Sequence, residues 1–493
     1  MILSKPKKKA NMLFNSFEFF IFLPIVFVLY WFVLNKNLSI QNILLLVASY
    51  VFYGWWDVRF LSLIMLSTIL DYYVGLRIHS TEEPKKRKHW LWLSMGFNLG
   101  LLCFFKYFNF FIDSWITAFN SVGIEMDPFA LSIILPVGIS FYTFQTMSYS
   151  LDISKRRLEP TKDFVAFATF VAFFPQLVAG PIERASNLLP QFLKRRKFDY
   201  NLAADGLRQM LWGLFKKIII ADNCAPYVND IFANYETQSS GTLILGVIVF
   251  AFQIYADFSG YTDIAIGTAR LFGFDFKRNF NFPYFSRNIS EFWKKWHISL
   301  SSWLNDYLFT PLAIEFRNHK KHGIFAALFL TFLISGLWHG AGWTFIIWGG
   351  LHGLYYIPVI YSKKRFTSIS TNKKTSKKEE YSLSDLPKII LTFLMVCLTY
   401  IFFRAASVAD ALGYLKIIFT EIPLWPSGVP YKSLFFIVIV MVTEWFQRGK
   451  EHGLQFNEDS KVPVYLRWTI YILLLLTILI FSGQQQEFIY FQF

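Results

Sequence analysis

The sequence predicts an all-α, polytopic membrane protein, with roughly eleven to twelve transmembrane helices plus re-entrant and interfacial helices. Three observations carry the prediction. Apolar runs close to the ~20 residues that cross a bilayer core recur along the whole 493-residue chain. Hydrophobic residues make up 54% of it and aromatics 20%, with a mean hydropathy of +0.39, where a soluble domain sits at about 45–50% apolar. Lys and Arg collect in the short loops between the runs, which is the distribution that orients a membrane protein.

Taken in order, the expected spans are Phe19–Leu34, Ile40–Trp56, Phe60–Leu76, Trp90–Phe111, Ala130–Ser150 and Ala203–Ala221. They continue with Thr242–Phe258, Gly323–Trp338, Trp343–Tyr361, Leu386–Phe403, Leu434–Phe446 and Tyr465–Phe481. One further run, Phe164–Val178, meets Ala179-Gly180-Pro181 with basic loops on both flanks, which reads as a re-entrant hairpin covered by protein. Residues 12–493 are expected to form a single membrane domain. Residues 1–11, with Lys5 and Lys7 to Lys9, are expected to be an N-terminal extension ahead of a more natural start at Met12. Segment 362–385, rich in Lys, Ser and Thr, reads as a flexible cytoplasmic loop.

The loop charges support this parity. If 77–89 is cytoplasmic, so are 151–163, 182–202, 270–322, 362–385 and 447–463, all basic or mixed. The opposite loops, 112–129 and 222–240, carry Asp113, Glu125, Asp127, Asp222, Asp230 and Glu236 but no Lys or Arg. The net charge of +15 is therefore spent on orientation beside an anionic leaflet, and no nucleic-acid partner is expected. Three cysteines far apart (Cys103, Cys224, Cys397) make neither a disulfide framework nor a metal-ligand set, and no metal is expected.

Polar residues concentrate between Asp257 and Gly353, and polar groups at membrane depth usually line a cavity or carry function. His339, in Gly336-Leu337-Trp338-His339-Gly340-Ala341-Gly342-Trp343, lies between two apolar runs, where an imidazole can take a proton from a hydroxyl and return it. Gly336 and Gly340, four apart, would bare one helix face, with Trp338 and Trp343 as walls; helix packing alone explains the same pattern. The run 287–303 reads as one amphipathic helix capped by Ser290, either an interfacial anchor or a wall that places His297, with Trp296 and Ser301, in a buried chamber. Asp257, Ser259 and Asp263 follow an apolar span and would either orient a histidine or substrate hydroxyls, or cap a broken helix. GxSxG, Walker A, GxGxxG and HExxH motifs are absent, so serine-hydrolase, nucleotide and zinc chemistry have no support.

At these residues the chain resembles the membrane-bound O-acyltransferase family, in its bacterial alginate O-acetylation branch. The likeness lies in Pro175-Gln176-Leu177-Val178-Ala179-Gly180-Pro181-Ile182, in 253–273, 281–311 and 336–353, and in the ending Phe488-Ile489-Tyr490-Phe491-Gln492-Phe493. The resemblance implies helices around a central tunnel, with His339 as the family's near-invariant histidine and His297 at its second polar position. It implies His339 as base, with His297 or nearby donors steadying the oxyanion. The expected donor is acetyl-CoA, with no bound cofactor, and the expected acceptor an extracytoplasmic polysaccharide reached through a separate SGNH-type transferase or esterase. The expected site is the inner (cytoplasmic) membrane. The aromatic ending resembles the tail of the small partner peptide in teichoic acid D-alanylation, which makes Tyr490 a candidate acyl relay; an interfacial aromatic belt is the plain alternative. D-alanyl transfer is the nearest rival activity. From other classes come a glycan flippase, disfavoured by the lack of internal repeats, and an export-complex scaffold.

Overall fold

A computed structural model describes residues 12–127, 131, 133–178, 180–362, 381–422, 424–456 and 462–491. The expected extension at 1–11 and residues 363–380 of the expected loop lie outside the described residues. Among those described, every regular element is helical. Six helical stretches are long and apolar enough to cross a membrane: Val58–Ser80, Pro84–Ser121, Ser240–Leu271, Ile298–His339, Leu383–Arg404 and Val464–Phe481. Shorter apolar helices lie at Phe17–Val33, Leu38–Gly54 and Phe164–Leu177. The Val464–Phe481 helix buries none of its apolar window, a surface that water would penalise and lipid tails accept. The protein is a multi-pass membrane protein.

The chain is built of two compact units. The first takes in residues up to 105, 134–207 and 264–276; the second takes in 106–133, 208–263 and the chain from 277 on. In the first, helix Phe164–Ala172 has 9 residues, about 14 Å, well short of a ~30 Å hydrocarbon core. It is buried from Ala166 to Ala172, as a re-entrant segment must be. The carboxylate of Asp71 lies fully buried in this unit, accepting from the Ser94 hydroxyl at 2.5 Å and the Asn98 amide at 2.8 Å.

Three expectations about local structure are corrected in the second unit. The stretch 287–303 is two helices, Ile289–Lys295 and Ile298–Leu304, broken at Trp296-His297. Its N-cap is Asn288, whose side chain accepts from the Glu291 N–H at 3.0 Å, and not Ser290. Asp257 to Asp263 cap no broken helix, because Ser240–Leu271 runs unbroken for 32 residues. The helix Lys320–His339 stops at the histidine, leaving Gly340 extended. Gly336 and Gly340 nonetheless both admit the following helix, Trp343–Leu354, as their four-residue spacing allowed: a Cβ on Gly340 would stand 2.1 Å from the Phe345 ring. A Cβ on Gly336 would stand 2.2 Å from the Phe345 carbonyl oxygen, and one on Gly349 would stand 2.2 Å from that of Phe332. The two backbones touch there, which only glycine permits.

Candidate active site

The end of the Lys320–His339 helix decides where His339 stands. A helix leaves its last carbonyls without intrahelical donors, and no left-handed glycine cap follows here, since Gly340 has φ −157°. Side chains from one π-helical turn, Cys103–Tyr107, supply the donors instead. Lys106 Nζ donates to the carbonyls of Trp338 at 2.7 Å and His339 at 3.1 Å, and the Tyr107 hydroxyl donates to that of Leu337 at 2.9 Å. The lysine charge also suits the negative end of the helix dipole. π-Bulges of this kind collect at functional sites.

His297 comes from the break between the two short helices. It adopts φ 44°, a left-handed conformation that costs a non-glycine residue about 1–3 kcal/mol and persists only where its surroundings hold it. Asn279 holds it: the Ile298 N–H donates to the Asn279 backbone carbonyl at 2.8 Å, and the Asn279 side-chain oxygen lies 3.2 Å from His297 Nδ1.

The two imidazoles face a shared aromatic enclosure, with ring centroids 6.4 Å apart. They are 0% and 3% exposed, and Nε2 of His297 and both ring nitrogens of His339 have no hydrogen-bond partner among the described residues. Buried polar groups are normally paired, so three such imidazole nitrogens beside one another make this enclosure the candidate site. Phe258, Trp338, Trp348 and Phe403 close it: Phe258 lies 4.7 Å from His297, and Trp348 and Phe403 lie 5.0 and 5.7 Å from His339.

The tail brings a phenol into the same enclosure. The ring of Tyr490 is 5.6 Å from His339, 6.5 Å from His297 and 4.5 Å from Phe258. Charged residues hold the tail there by its backbone. Lys217 Nζ sits 2.7 Å from both Asp222 and Asp257 and donates to the Gln486 carbonyl at 3.1 Å. The second oxygen of Asp257 accepts the Ile489 N–H at 2.7 Å. Phe488, fully buried, packs on Phe258 and Tyr261.

The structure thus gathers His297, His339, Trp338 and Tyr490, with Trp296 buried beside His297. Ser301 stays half-buried, donating weakly to the Trp296 carbonyl at 3.3 Å. Asp257 anchors the tail. Asp263 and Ser259 are bound to Lys216, at 2.7 and 2.8 Å, and serve as scaffold. Trp343 is not brought in: it is 57% exposed and packs on Phe110.

Sequence reasoning missed Lys106, Lys216, Lys217, Asn279 and His352. Lys106, Lys216 and Lys217 sit inside apolar runs, and an ionisable residue there was itself the signal. His352, buried, receives the Trp293 indole N–H on Nδ1 at 3.3 Å. Its proton is therefore on Nε2, 3.0 Å from the Thr399 hydroxyl. Among the described residues no group of three or more His, Cys, Asp or Glu could hold a metal ion.

A buried histidine pair inside a helical membrane body is a candidate acid–base site of a membrane enzyme. Comparison with known proteins says which: residues 43–379 match the membrane-bound O-acyltransferase family, and the chain belongs to it. It is an O-acyltransferase. It is 35% identical to a probable alginate O-acetylase of Pseudomonas putida, over 98% of this chain and 100% of that one. It is 37% identical to the peptidoglycan O-acetyltransferase of Helicobacter pylori, over 82% and 79%. Against the teichoic acid D-alanyltransferase of Streptococcus thermophilus identity falls to 26%, over 60% and 75%.

Proposed function

We propose that this chain takes an acetyl group from acetyl-CoA on the cytoplasmic side of the inner membrane and passes it through Tyr490 towards an extracytoplasmic polysaccharide. The observation that carries this reading is the meeting of Tyr490 with His297 and His339 in one enclosed site. In the first half-reaction the phenol loses its proton to the histidine pair and its oxygen attacks the thioester carbon. The C–S bond breaks, the proton goes to the departing thiolate, and an acetyl ester forms on Tyr490. In the second, a hydroxyl attacks that ester and the phenol is restored. With an ordinary pKa near 10, a phenol leaves more readily than a sugar alkoxide, so an aryl ester is an activated carrier. The next hydroxyl belongs to an SGNH-type transferase or to the polymer itself. Acetyl in place of D-alanyl follows the stronger similarity to the two O-acetyl-transferring relatives, and their printed acceptors make alginate-like or peptidoglycan glycans the first polymers to try.

The experiment incubates purified protein in detergent with radiolabelled acetyl-CoA and compares wild type, His339→Ala and Tyr490→Phe. Label on wild type that is lost in both variants is the expected result. Label lost only in His339→Ala keeps the transferase and removes the relay. Neither label nor thioester cleavage in wild type removes acetyl-CoA as donor.

A further inference from the structure

Asn279 has no part in the transfer as written, yet three donors converge on its side-chain oxygen. The Ser299 backbone N–H reaches it at 3.1 Å, the Ser299 hydroxyl at 2.9 Å, and His297 Nδ1 lies 3.2 Å away. A backbone N–H can only donate, so the atom facing it is the amide oxygen and not the amide nitrogen. The nitrogen turns instead to the Thr262 hydroxyl at 3.5 Å. The amide oxygen can only accept, so the proton of neutral His297 resides on Nδ1. That leaves Nε2 as a bare lone pair, and no group among the described residues pairs with it. The backbone reinforces the arrangement, since the left-handed turn at His297 and the Ile298-to-Asn279 hydrogen bond tie ring and amide to one loop.

We propose that Asn279 is a positioning residue that locks His297 in the Nδ1-protonated tautomer, making Nε2 the atom that receives the proton of the attacking hydroxyl. The inference rests on the acyl-transfer reading above. As the hydroxyl oxygen bonds to the thioester carbon, its O–H bond breaks and the proton passes to Nε2. As the C–S bond breaks, the imidazolium returns that proton to sulfur and is neutral again. A neutral ring held this way cannot donate from Nε2 to an oxyanion. That donation falls to His339, both of whose nitrogens lack a partner among the described residues. The roles expected from the sequence are thereby exchanged between the two histidines.

The test pairs a spectrum with kinetics. In 15N-histidine-labelled protein in lipid bilayers, solid-state NMR reads which nitrogen of His297 is protonated, with the signal assigned by its loss in His297→Phe. The expected spectrum shows Nδ1 protonated and Nε2 bare. Asn279→Leu is expected to mix the tautomers and lower kcat for acetyl-CoA cleavage about 10²-fold with little change in KM, the scale of a misplaced catalytic group. Asn279→Asp, which keeps an acceptor oxygen in place, is expected to recover most of that loss. An Nε2-protonated His297 in wild type overturns the proposal, as does wild-type kcat in Asn279→Leu. If Asn279→Leu does not accumulate, the wild-type spectrum decides. No cleavage by any variant, together with an Nδ1-protonated His297, supports the tautomer lock and counts against acetyl-CoA alone.

Discussion

Removing the carboxylate of Asp257 should free the tail while sparing the fold. Its side chain makes two contacts: an ion pair with Lys217 at 2.7 Å, and acceptance of the Ile489 N–H at 2.7 Å. In Asp257→Ala, Lys217 still has Asp222 at 2.7 Å, so no buried cation is stranded and the damage falls on the tail. A hydrogen bond to a charged acceptor contributes about 1.5–3 kcal/mol. Taking about 2 kcal/mol, the undocked fraction rises about 30-fold at 1.36 kcal/mol per decade. Hydrogen exchange with mass spectrometry on the 486–491 peptide reads this directly, because exchange there proceeds through the undocked state. The expected result is exchange about 30-fold faster across the whole peptide, with helices outside unchanged and Tyr490 acetylation falling in step. Exchange within twofold of wild type, in a protein of unchanged melting temperature, would refute the view that Asp257 holds the tail.

Three further outcomes follow from the same geometry. Lys217→Met leaves Asp222 and Asp257 buried without their cation, and breaking such a set costs about 3–5 kcal/mol; detergent-solubilised protein should melt far lower or elute aggregated in size exclusion. Lys106→Met removes the donors to the carbonyls of Trp338 and His339, and His339-dependent cleavage should fall about tenfold or more while the melting point moves little, a positioning loss. Gly336→Ala puts a methyl group 2.2 Å from the Phe345 carbonyl oxygen, so the two helices must part at an overpacking cost of about 1–3 kcal/mol; a thermal melt checks it.

The membrane class was legible because hydropathy depends on composition along single segments, which tertiary packing does not alter. His297, His339 and Tyr490 were legible as candidates: rare polar types among apolar and aromatic residues, in stretches resembling a family. What sequence hid was the partner of each. Asn279 lies 18 positions from His297, in a stretch with no periodicity to flag it, and its value comes from one loop closing on another. Lys217 reaches Gln486 across 269 positions, a contact that no local window can see. The break at Trp296-His297 was missed for a different reason. The spacing of Trp293, Trp296, Leu300 and Trp303 fits one helix face, and the left-handed turn at His297 is imposed by Asn279 against that local preference.

The arrangement of charge explains how a transferase can avoid acting as a hydrolase. In the transfer proposed above the group passes from a thioester to an aryl ester, both open to attack by water, and that passage needs a site that keeps water out. Ionic side chains at the reacting atoms would demand solvation, and here they are set one layer back. Lys216 pairs with Asp263, and Lys217 with Asp222 and Asp257, while Lys106 is spent on helix carbonyls. Of these, Lys217 and Asp257 fix the backbone of the tail that carries Tyr490, and Lys106 fixes the helix end that carries His339. The lining of the candidate site is left to imidazoles, indoles and phenyl rings, which can be buried without a counterion. In that reading tail docking delivers the phenol, while Phe488 packs on Phe258, the ring that lies against His297. By that logic the Asp257→Ala protein should do more than lose acetyl-tyrosine. Its slow hydrolysis of acetyl-CoA should rise relative to transfer, because the opening left by the tail admits the one nucleophile the site is built to exclude.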